Sequence, residues 1–199
     1  MTHETFGFIG LGLIGGSLAK ALKRSNPSCR IMAYSRTSAT TDLAISEHAI
    51  DICCTSVSDP QFAACDCIFL CAPVDTNISA LRILKDIVPP DCILTDVGSV
   101  KTDIHRAAQE MGLNGRFIGG HPMTGSEKSG FAHAQAHLFE NSYYIITPSA
   151  GTVPEKIDWY KKMVTGFGAL PIVLNCEQHD YATAAISHLP HLIAAALVN

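Results

Sequence analysis

One histidine stands in a setting that suits proton transfer. His121 lies in the stretch GGHPMTGSEKSG (119–130), directly after the apolar run RFI (116–118), and Pro122 restricts the backbone of the residue before it. The residues that follow are small or polar, which is not the pattern of a buried core. An imidazole titrates near neutral pH and can therefore accept a proton from a hydroxyl group. The stretch predicts a general base, provided that the fold places it beside a ligand.

A second chemical signal is a glycine-rich loop near the N-terminus. The segment FGFIGLGLIGG (6–16) has the spacing GxGxxG, with an apolar run before it and a helical pattern after it. In this context the first glycine permits a tight turn, the second lets the backbone approach a pyrophosphate, and the third lets helix and strand pack closely. The helix N-terminus would offer free N–H groups to the anion. We expect a dinucleotide to be bound by Gly10, Leu11, Gly12, Leu13, Ile14 and Gly15.

The alternation of apolar runs and helical patterns predicts the elements that must position these residues. Eight runs indicate strands, at 5–10, 29–34, 50–54, 65–73, 92–97, 116–120, 142–148 and 170–174. Helical patterns separate them, at 13–24, 38–47, 76–88, 99–112 and 154–167, and a further one begins near 179. Short apolar strands separated by helices indicate an α/β fold, a doubly wound, mostly parallel sheet of the Rossmann type. Ligands bind beyond the carboxyl ends of such strands, which is where His121 falls.

Two further predicted strand ends contribute residues to the same edge. The fourth apolar run ends at Ala72, Pro73 and Val74, which we expect to pass the ribose of a nicotinamide cofactor. The fifth is followed by Gly98, which permits close approach, and by Ser99. The Ser99 hydroxyl either faces the cleft or caps the following helix, and the two roles are compatible.

The end of the second predicted strand bears on the choice between NAD and NADP. An acidic residue at this point binds the ribose 2′-hydroxyl of NAD. The segment YSRTS (34–38) contains Ser35 and Arg36 but no carboxylate, and a guanidinium group binds a 2′-phosphate well. The segment therefore favours NADP. The alternative is that Arg36 stacks on the adenine and either cofactor is accepted.

The C-terminal part of the chain differs in character from the rest. Residues 179–199 have the pattern of a long apolar helix that continues to the last residue without a capping signal. We expect residues 1–175 to form the dinucleotide-binding domain, and residues 176–199 to be the first helix of a truncated helical domain. The helix should associate with a second copy, through Leu189, Leu192, Ile193 and Leu197.

Composition argues against several classes of function. Hydrophobic residues make up 47% of the 199 residues and charged residues 16%, so a buried core is expected. The net charge of −4 and the lack of a basic stripe give no reason to expect a nucleic-acid partner. No signal peptide is visible, and no uninterrupted apolar run reaches the roughly 18 residues of a membrane helix.

Eight cysteines without a zinc spacing indicate reduced thiols in a cytoplasmic protein. His188 and His191 lack a third ligand nearby, so no metal site is expected.

Five motifs together resemble those of the prephenate dehydrogenase family, which also includes arogenate dehydrogenases. In chain order they are GLGLIGGSLAKAL, APV, TDVGSVK, GGHPMTGSEKSG and ISHLPHLIAAALV. The resemblance spans nearly the whole chain, and the last two motifs are its most specific part. It implies NAD(P)-dependent oxidative decarboxylation of prephenate to 4-hydroxyphenylpyruvate in tyrosine synthesis.

The resemblance also implies roles for individual residues. His121 matches the catalytic histidine, which takes the proton of the ring hydroxyl as hydride leaves the same carbon, and Ser99 matches a serine that orients both groups. Ser126 and Glu127 match positions on the loop that faces the substrate, and His188 matches a substrate-binding residue. The family's helical dimerisation domain forms the homodimer and contributes contacts to the substrate carboxylates, notably an arginine. We therefore expect this chain alone to bind dinucleotide with little or no turnover.

Three other functions fit parts of the sequence. An arogenate dehydrogenase would differ mainly in groups that contact the substrate side chain. A hydroxyacid dehydrogenase would share the glycine loop but would use a lysine as its acid–base. A dinucleotide-sensing module would need the glycine loop but not the polar loop after His121.

Overall fold

Strands and helices alternate along residues 4–198, which are the residues that the computed structural model describes. The strands are β1 Thr5–Ile9, β2 Arg30–Tyr34, β3 Ile52–Cys53, β4 Cys67–Leu70, β5 Ile93–Asp96, β6 Ile118–Pro122, β7 Tyr143–Pro148 and β8 Leu170–Val173. The helices are α1 Leu13–Ser25, α2 Ser38–Ser46, α3 Val74–Leu84, α4 Thr102–Glu110, α5 Pro154–Gly166, α6 Cys176–Thr183 and α7 Leu189–Val198. Each predicted strand and helix is present, with ends that differ by a few residues. Two short 3-10 helices, Pro60–Ala64 and Phe131–His133, were not predicted.

The sheet has the predicted doubly wound topology. Five parallel strands lie in the order β3-β2-β1-β4-β5, and a second sheet has the order β6-β7-β8. A parallel bridge between Leu94 and Phe117 places β6 next to β5, so β6 runs in the same direction as the five strands. Strands β7 and β8 both run in the opposite direction, because β7 pairs antiparallel with β6 and parallel with β8. The carboxyl ends of β1, β2, β4, β5 and β6 therefore share one edge.

The central strands are mostly apolar because helices cover both faces of the sheet. In β4, Phe69 belongs to one hydrophobic core, and its neighbours Ile68 and Leu70 belong to the other. This is the alternation of side chains expected along a strand. Phe69 stacks on Phe8 of β1 at a ring distance of 4.9 Å. The two cores hold the central strands, and hence the loops at their carboxyl ends, in a fixed arrangement.

Helices α6 and α7 form one continuous rod, joined by a π-helical turn at Ala184–His188. Helix α6 begins three residues earlier than predicted, because Asn175 and Gln178 form a capping box there. The first part of the rod is anchored, since His179 and Thr183 are buried. The last part is not, since Leu192 is 67% exposed and Leu197 is 82% exposed.

The rod formed by α6 and α7 is longer than the uninterrupted apolar runs in the sequence on which the expectation of no membrane helix was based. The helix Cys176–Val198, however, has 23 residues and a window of mean hydropathy 1.4, which is enough to span a membrane by length and composition alone. An interface helix in a helical domain has the same composition, and His179 and Asp180 on this helix contact the sheet domain.

Candidate active site

The glycine loop has the geometry that a dinucleotide requires. Gly10 adopts a left-handed conformation with φ +96°, and its N–H donates to Tyr34 O at 2.8 Å. A Cβ at Gly15 would lie 2.5 Å from Gly10 O, so only glycine permits this packing of α1. At Gly12 no described atom lies within 4 Å of the place a Cβ would take, which leaves room for a pyrophosphate. Gly12 is also the N-cap of α1 and offers no side-chain cap, so the first N–H groups of the helix face this space.

The other predicted residues of this loop take different environments. Leu11 is buried in the core, so only its backbone is available to a ligand, whereas Leu13 and Ile14 are half-buried in the first turn of α1. Sequence reasoning missed the role of Gly16. A Cβ there would lie 2.5 Å from the ring of Phe131, so Gly16 lets the segment after the polar loop pack on α1. The polar loop is thereby held close to the glycine loop.

A buried asparagine shapes the turn at Ala72, Pro73 and Val74. Asn77 accepts a hydrogen bond from the Ala72 N–H at 3.1 Å and donates one to Leu70 O at 3.2 Å. The turn is therefore held in one conformation at the carboxyl end of β4, with Ala72 and Val74 half-buried and Pro73 exposed. An asparagine in the first turn of a helix was the available signal, because this residue type readily bonds to nearby backbone.

The end of β2 presents Ser35 and Arg36 at the same edge. Ser35 is half-buried and Arg36 is exposed. Among residues 4–198, Arg36 has neither a hydrogen bond nor an ion pair, so its guanidinium group is available to a ligand.

The region after β5 contains a buried ion pair that the sequence did not reveal. Asp96 and Lys101 are fully buried and bonded to each other. Asp96 also accepts hydrogen bonds from the N–H groups of Gly98, at 3.0 Å, and of Gly120, at 3.4 Å. The pair therefore ties the end of β5 to β6, one residue from His121.

Ser99 lies in this region without capping a helix. Helix α4 begins at Thr102 and its N-cap is Lys101, so the alternative role considered for Ser99, a cap on this helix, is wrong. The N-cap, Lys101, lies two residues after Ser99. Before the helix begins, the chain turns at Gly98, whose N–H donates to the Asp96 carboxylate. Ser99 is exposed at the carboxyl edge, and its predicted role toward the substrate hydroxyl stays a prediction.

His121 lies inside β6, next to its last residue, rather than after the strand as predicted. Its side chain is half-buried, and its Nδ1 lies 2.8 Å from Nε2 of His179, a residue 58 positions away. Burial, together with the nearby His179, Lys101 and His188, lowers the pKa of His121 to about 3 against the opposing effect of Asp180. The imidazole is therefore neutral at physiological pH and able to accept a proton.

His179 and Asp180 complete a chain of hydrogen bonds behind His121. His179 is fully buried, and its Nδ1 lies 2.7 Å from Asp180 Oδ1. Burial lowers the pKa of His179. Burial raises the pKa of Asp180, but hydrogen bonds from Thr102, His179 and Lys101 outweigh this effect and bring it to about 2. Sequence reasoning missed both residues, and the signal was a titratable pair at the start of the last helix.

The remaining predicted residues fall into two groups. His188 is exposed in the π-helical turn, close enough for its charge to act on His121. Ser126 and Glu127 are exposed in the polar loop, where Ser126 Oγ accepts from the Lys128 N–H at 3.1 Å. Neither of them bonds to His121 within residues 4–198. The described residues contain no group of three potential metal ligands, and the His191 side chain lies outside what the structure describes.

The lowered histidine pKa values predict that acid weakens the fold. Burial lowers the pKa values of His105, His121 and His179 from the ordinary value near 6.5, so the unfolded chain binds more protons than the folded chain below about pH 6.5. Their contribution to stability is thus present above that pH and is lost as the pH falls. The low pKa of Asp180 acts in the same direction at still lower pH.

We expect urea to unfold the chain at a lower midpoint near about pH 5 than near about pH 7. His121→Asn should reduce this difference, and His133→Asn, at an exposed position, should not. Equal midpoints at the two pH values would contradict this account of the site.

The chain matches known protein families over most of its length. Residues 18–173 match the nucleotide-binding domain of prephenate dehydrogenase, and residues 175–199 match the dimerization domain of the same family. A prephenate dehydrogenase of Bacillus subtilis (strain 168) is 36% identical over 98% of this chain and 53% of its own length. The chain therefore spans about half the length of the curated relatives it matches.

Solved structures agree with these matches. A prephenate dehydrogenase from A. aeolicus, in complex with hydroxyphenyl propionate and NAD+, has a TM-score of 0.92 and 33% identity over 100% of this chain and 69% of its own. The Synechocystis arogenate dehydrogenase has a TM-score of 0.89 and 35% identity over 98% of this chain and 68% of its own. The motifs, the fold and these matches agree, and the chain belongs to the prephenate dehydrogenase family.

Proposed function

We propose that this protein oxidises and decarboxylates prephenate to 4-hydroxyphenylpyruvate with a nicotinamide cofactor, and that His121 accepts the proton of the ring hydroxyl. The observation that carries the proposal is the neutral, half-buried imidazole of His121. It lies at the same edge of the sheet as the glycine loop. A general base must be uncharged before it accepts a proton, and His121 meets this condition.

Different residues of the chain would bind the cofactor and orient the substrate. Gly10, Gly12 and the first turn of α1 would hold the pyrophosphate, while the turn at 72–74 and Gly98 would lie beside the nicotinamide ribose. A nicotinamide cofactor, when bound, accepts a hydride from the carbinol carbon of the substrate. Ser99 would help to orient the substrate hydroxyl toward His121.

The substrate supplies the driving force of this reaction. Prephenate has a non-aromatic ring, and loss of hydride and carbon dioxide makes that ring aromatic. The protein therefore needs to position the carbinol carbon and to accept one proton. Ser126, Glu127 and His188 would line the substrate side of the site, since the first two lie in the polar loop after His121 and His188 is near enough to act electrostatically on His121.

Arogenate is the second candidate substrate, because the Synechocystis structure with a TM-score of 0.89 is an arogenate dehydrogenase. Steady-state kinetics on both substrates decides between them. The measurement belongs in a protein that joins this chain to a complete dimerisation domain, since the chain spans about half the length of its curated relatives. A higher kcat/KM on prephenate supports the proposal, and turnover of neither compound would overturn it in favour of a dinucleotide sensor.

We further propose that NADP binds more tightly than NAD, although the A. aeolicus relative was solved with NAD+. The support is the unpartnered guanidinium of Arg36 at the end of β2, with no carboxylate in residues 34–38. Arg36→Glu should weaken NADP about tenfold or more and leave NAD nearly unchanged, because it replaces a charge-assisted bond by repulsion.

Calorimetric titration of the chain with each cofactor measures this directly. Arg30→Glu is the matched control, because Arg30 is exposed at the opposite end of the same strand. Equal affinities of the unaltered chain for the two cofactors would overturn the NADP proposal.

We also propose that the rod formed by α6 and α7 pairs with a second copy of the chain. Its support is the match to a dimerization domain and a row of exposed apolar side chains on the last turns. Light scattering should report a dimer, and Leu192→Asp should shift it toward monomer. Ile83→Asp, at an exposed apolar position on α3, should not. A monomer at high concentration would contradict the proposal.

A further inference from the structure

We propose that His179 is a positioning residue: it holds His121 in the tautomer that carries its proton on Nδ1 and leaves Nε2 free to accept the substrate proton. This inference rests on the proposed role of His121 as the proton acceptor. Its starting point is the unbroken chain of hydrogen bonds from Asp180 through His179 to His121, with distances of 2.7 and 2.8 Å.

The Asp180 carboxylate fixes the direction of this chain. Its Oδ1 accepts the Lys101 backbone N–H at 2.7 Å, and its Oδ2 accepts the Thr102 N–H at 2.8 Å and the Thr102 hydroxyl at 2.5 Å. These groups lie at the N-terminal end of α4, which favours a negative charge. An ionised carboxylate only accepts hydrogen bonds, so Nδ1 of His179 must carry a proton and donate it to Oδ1.

The tautomer of His121 follows from that of His179. A neutral imidazole with a proton on Nδ1 has a lone pair on Nε2, so His179 Nε2 is an acceptor. Its partner at 2.8 Å, the His121 Nδ1, must then be the donor. The opposite tautomer would place two lone pairs against each other. The Thr183 hydroxyl, 3.5 Å from His179 Nε2, is compatible with this assignment because a hydroxyl can donate to the same lone pair.

The same chain would support His121 after the proton has moved. The substrate O–H bond breaks, an N–H bond forms on His121 Nε2, and the oxygen electron pair becomes part of the new carbonyl group as hydride leaves. The imidazolium then keeps its Nδ1–H bond to His179, whose other nitrogen contacts the ionised Asp180. The nearby His179, Lys101 and His188 oppose protonation of His121, whereas Asp180 favours it. A carboxylate linked through an imidazole is a known means of fixing a tautomer and stabilising an imidazolium ion.

Nitrogen NMR of the chain labelled at histidine tests the assignment without any turnover. In the unaltered chain, His121 should show a protonated Nδ1 and an unprotonated Nε2. His179→Leu should move the proton of His121 to Nε2 or average the two signals. His179→Gln can present an amide oxygen in place of the lost acceptor and should restore the original pattern. His133→Leu, at an exposed position, serves as the control.

Kinetics provide a second arm in the protein with a complete dimerisation domain. His179→Leu should lower kcat about a hundredfold with little change in KM, as for other residues that orient a catalytic group, and His179→Gln should recover part of the loss. A proton on Nε2 of His121 in the unaltered chain would overturn the inference, even if His179→Leu failed to fold. If His121→Asn left turnover unchanged while the NMR pattern was as expected, the proposed function would fail and the tautomer assignment would stand.

Discussion

Replacement of His121 by asparagine should lower the kcat of prephenate oxidation about a thousandfold, because a positioned general base contributes two to four orders of magnitude. Asparagine is similar in size and can still donate a hydrogen bond to His179 Nε2. It cannot, however, accept a proton from the substrate. The glycine loop is untouched by the substitution, so the Kd of NADP should be unchanged.

The measurement is steady-state turnover in a protein that joins this chain to a complete dimerisation domain, together with calorimetric titration of the cofactor. His137→Asn is the control, because His137 is an exposed histidine outside the candidate site. Turnover that is unaffected by His121→Asn would reject the base assignment. It would also revive the alternative of a hydroxyacid dehydrogenase, in which a lysine performs this role.

The second large effect concerns stability. Lys101→Met should lower the free energy of unfolding by about 3–5 kcal/mol, because it leaves the Asp96 carboxylate buried without its partner. Urea unfolding at neutral pH measures this loss. The double variant that also carries Asp96→Asn should recover much of it, since no unpaired charge then remains buried.

The matched control for this prediction is Lys85→Met. Lys85 pairs with Asp86 at 2.9 Å on the surface, where such pairs contribute about 1 kcal/mol or less. A loss from Lys101→Met no greater than that from Lys85→Met would contradict the account of a buried, mutually dependent pair. The Lys101 backbone also binds Asp180, which lies behind His121. Cofactor titration of the variant would show whether the loss of stability also affects the glycine loop.

The parts of the fold that were predictable from the sequence are those encoded in short segments. Continuous apolar runs predicted the parallel strands because both faces of the sheet are buried. The spacing of Gly10, Gly12 and Gly15 predicted the turn before α1 because each glycine answers a local steric demand. The edge position of His121 followed from one strand and the general rule for ligand sites in α/β sheets.

The parts that were missed depend on contacts between distant segments. His121 and His179 are 58 residues apart, and their contact exists because α6 packs beside α4 and β7. The Asp96–Lys101 pair is close in sequence, but its complete burial depends on β6 and on Gly120. A cap on α4 was one of the two roles considered for Ser99, and no local pattern showed that the helix would begin only at Thr102, after the turn at Gly98. Most of the features that sequence patterns did not predict thus depend on hydrogen bonds between distant segments.

The position of His179 and Asp180 on α6 has a consequence for recombination between relatives. The two residues lie in the part of the chain, 175–199, that matches the dimerization domain, whereas His121 lies in the part, 18–173, that matches the nucleotide-binding domain. A chimaera with its crossover at residue 175 would take the base from one parent and its hydrogen-bonded partners from the other. Crossovers placed after residue 183 would instead transfer the base, its partners and the buried Thr183 as one inherited unit.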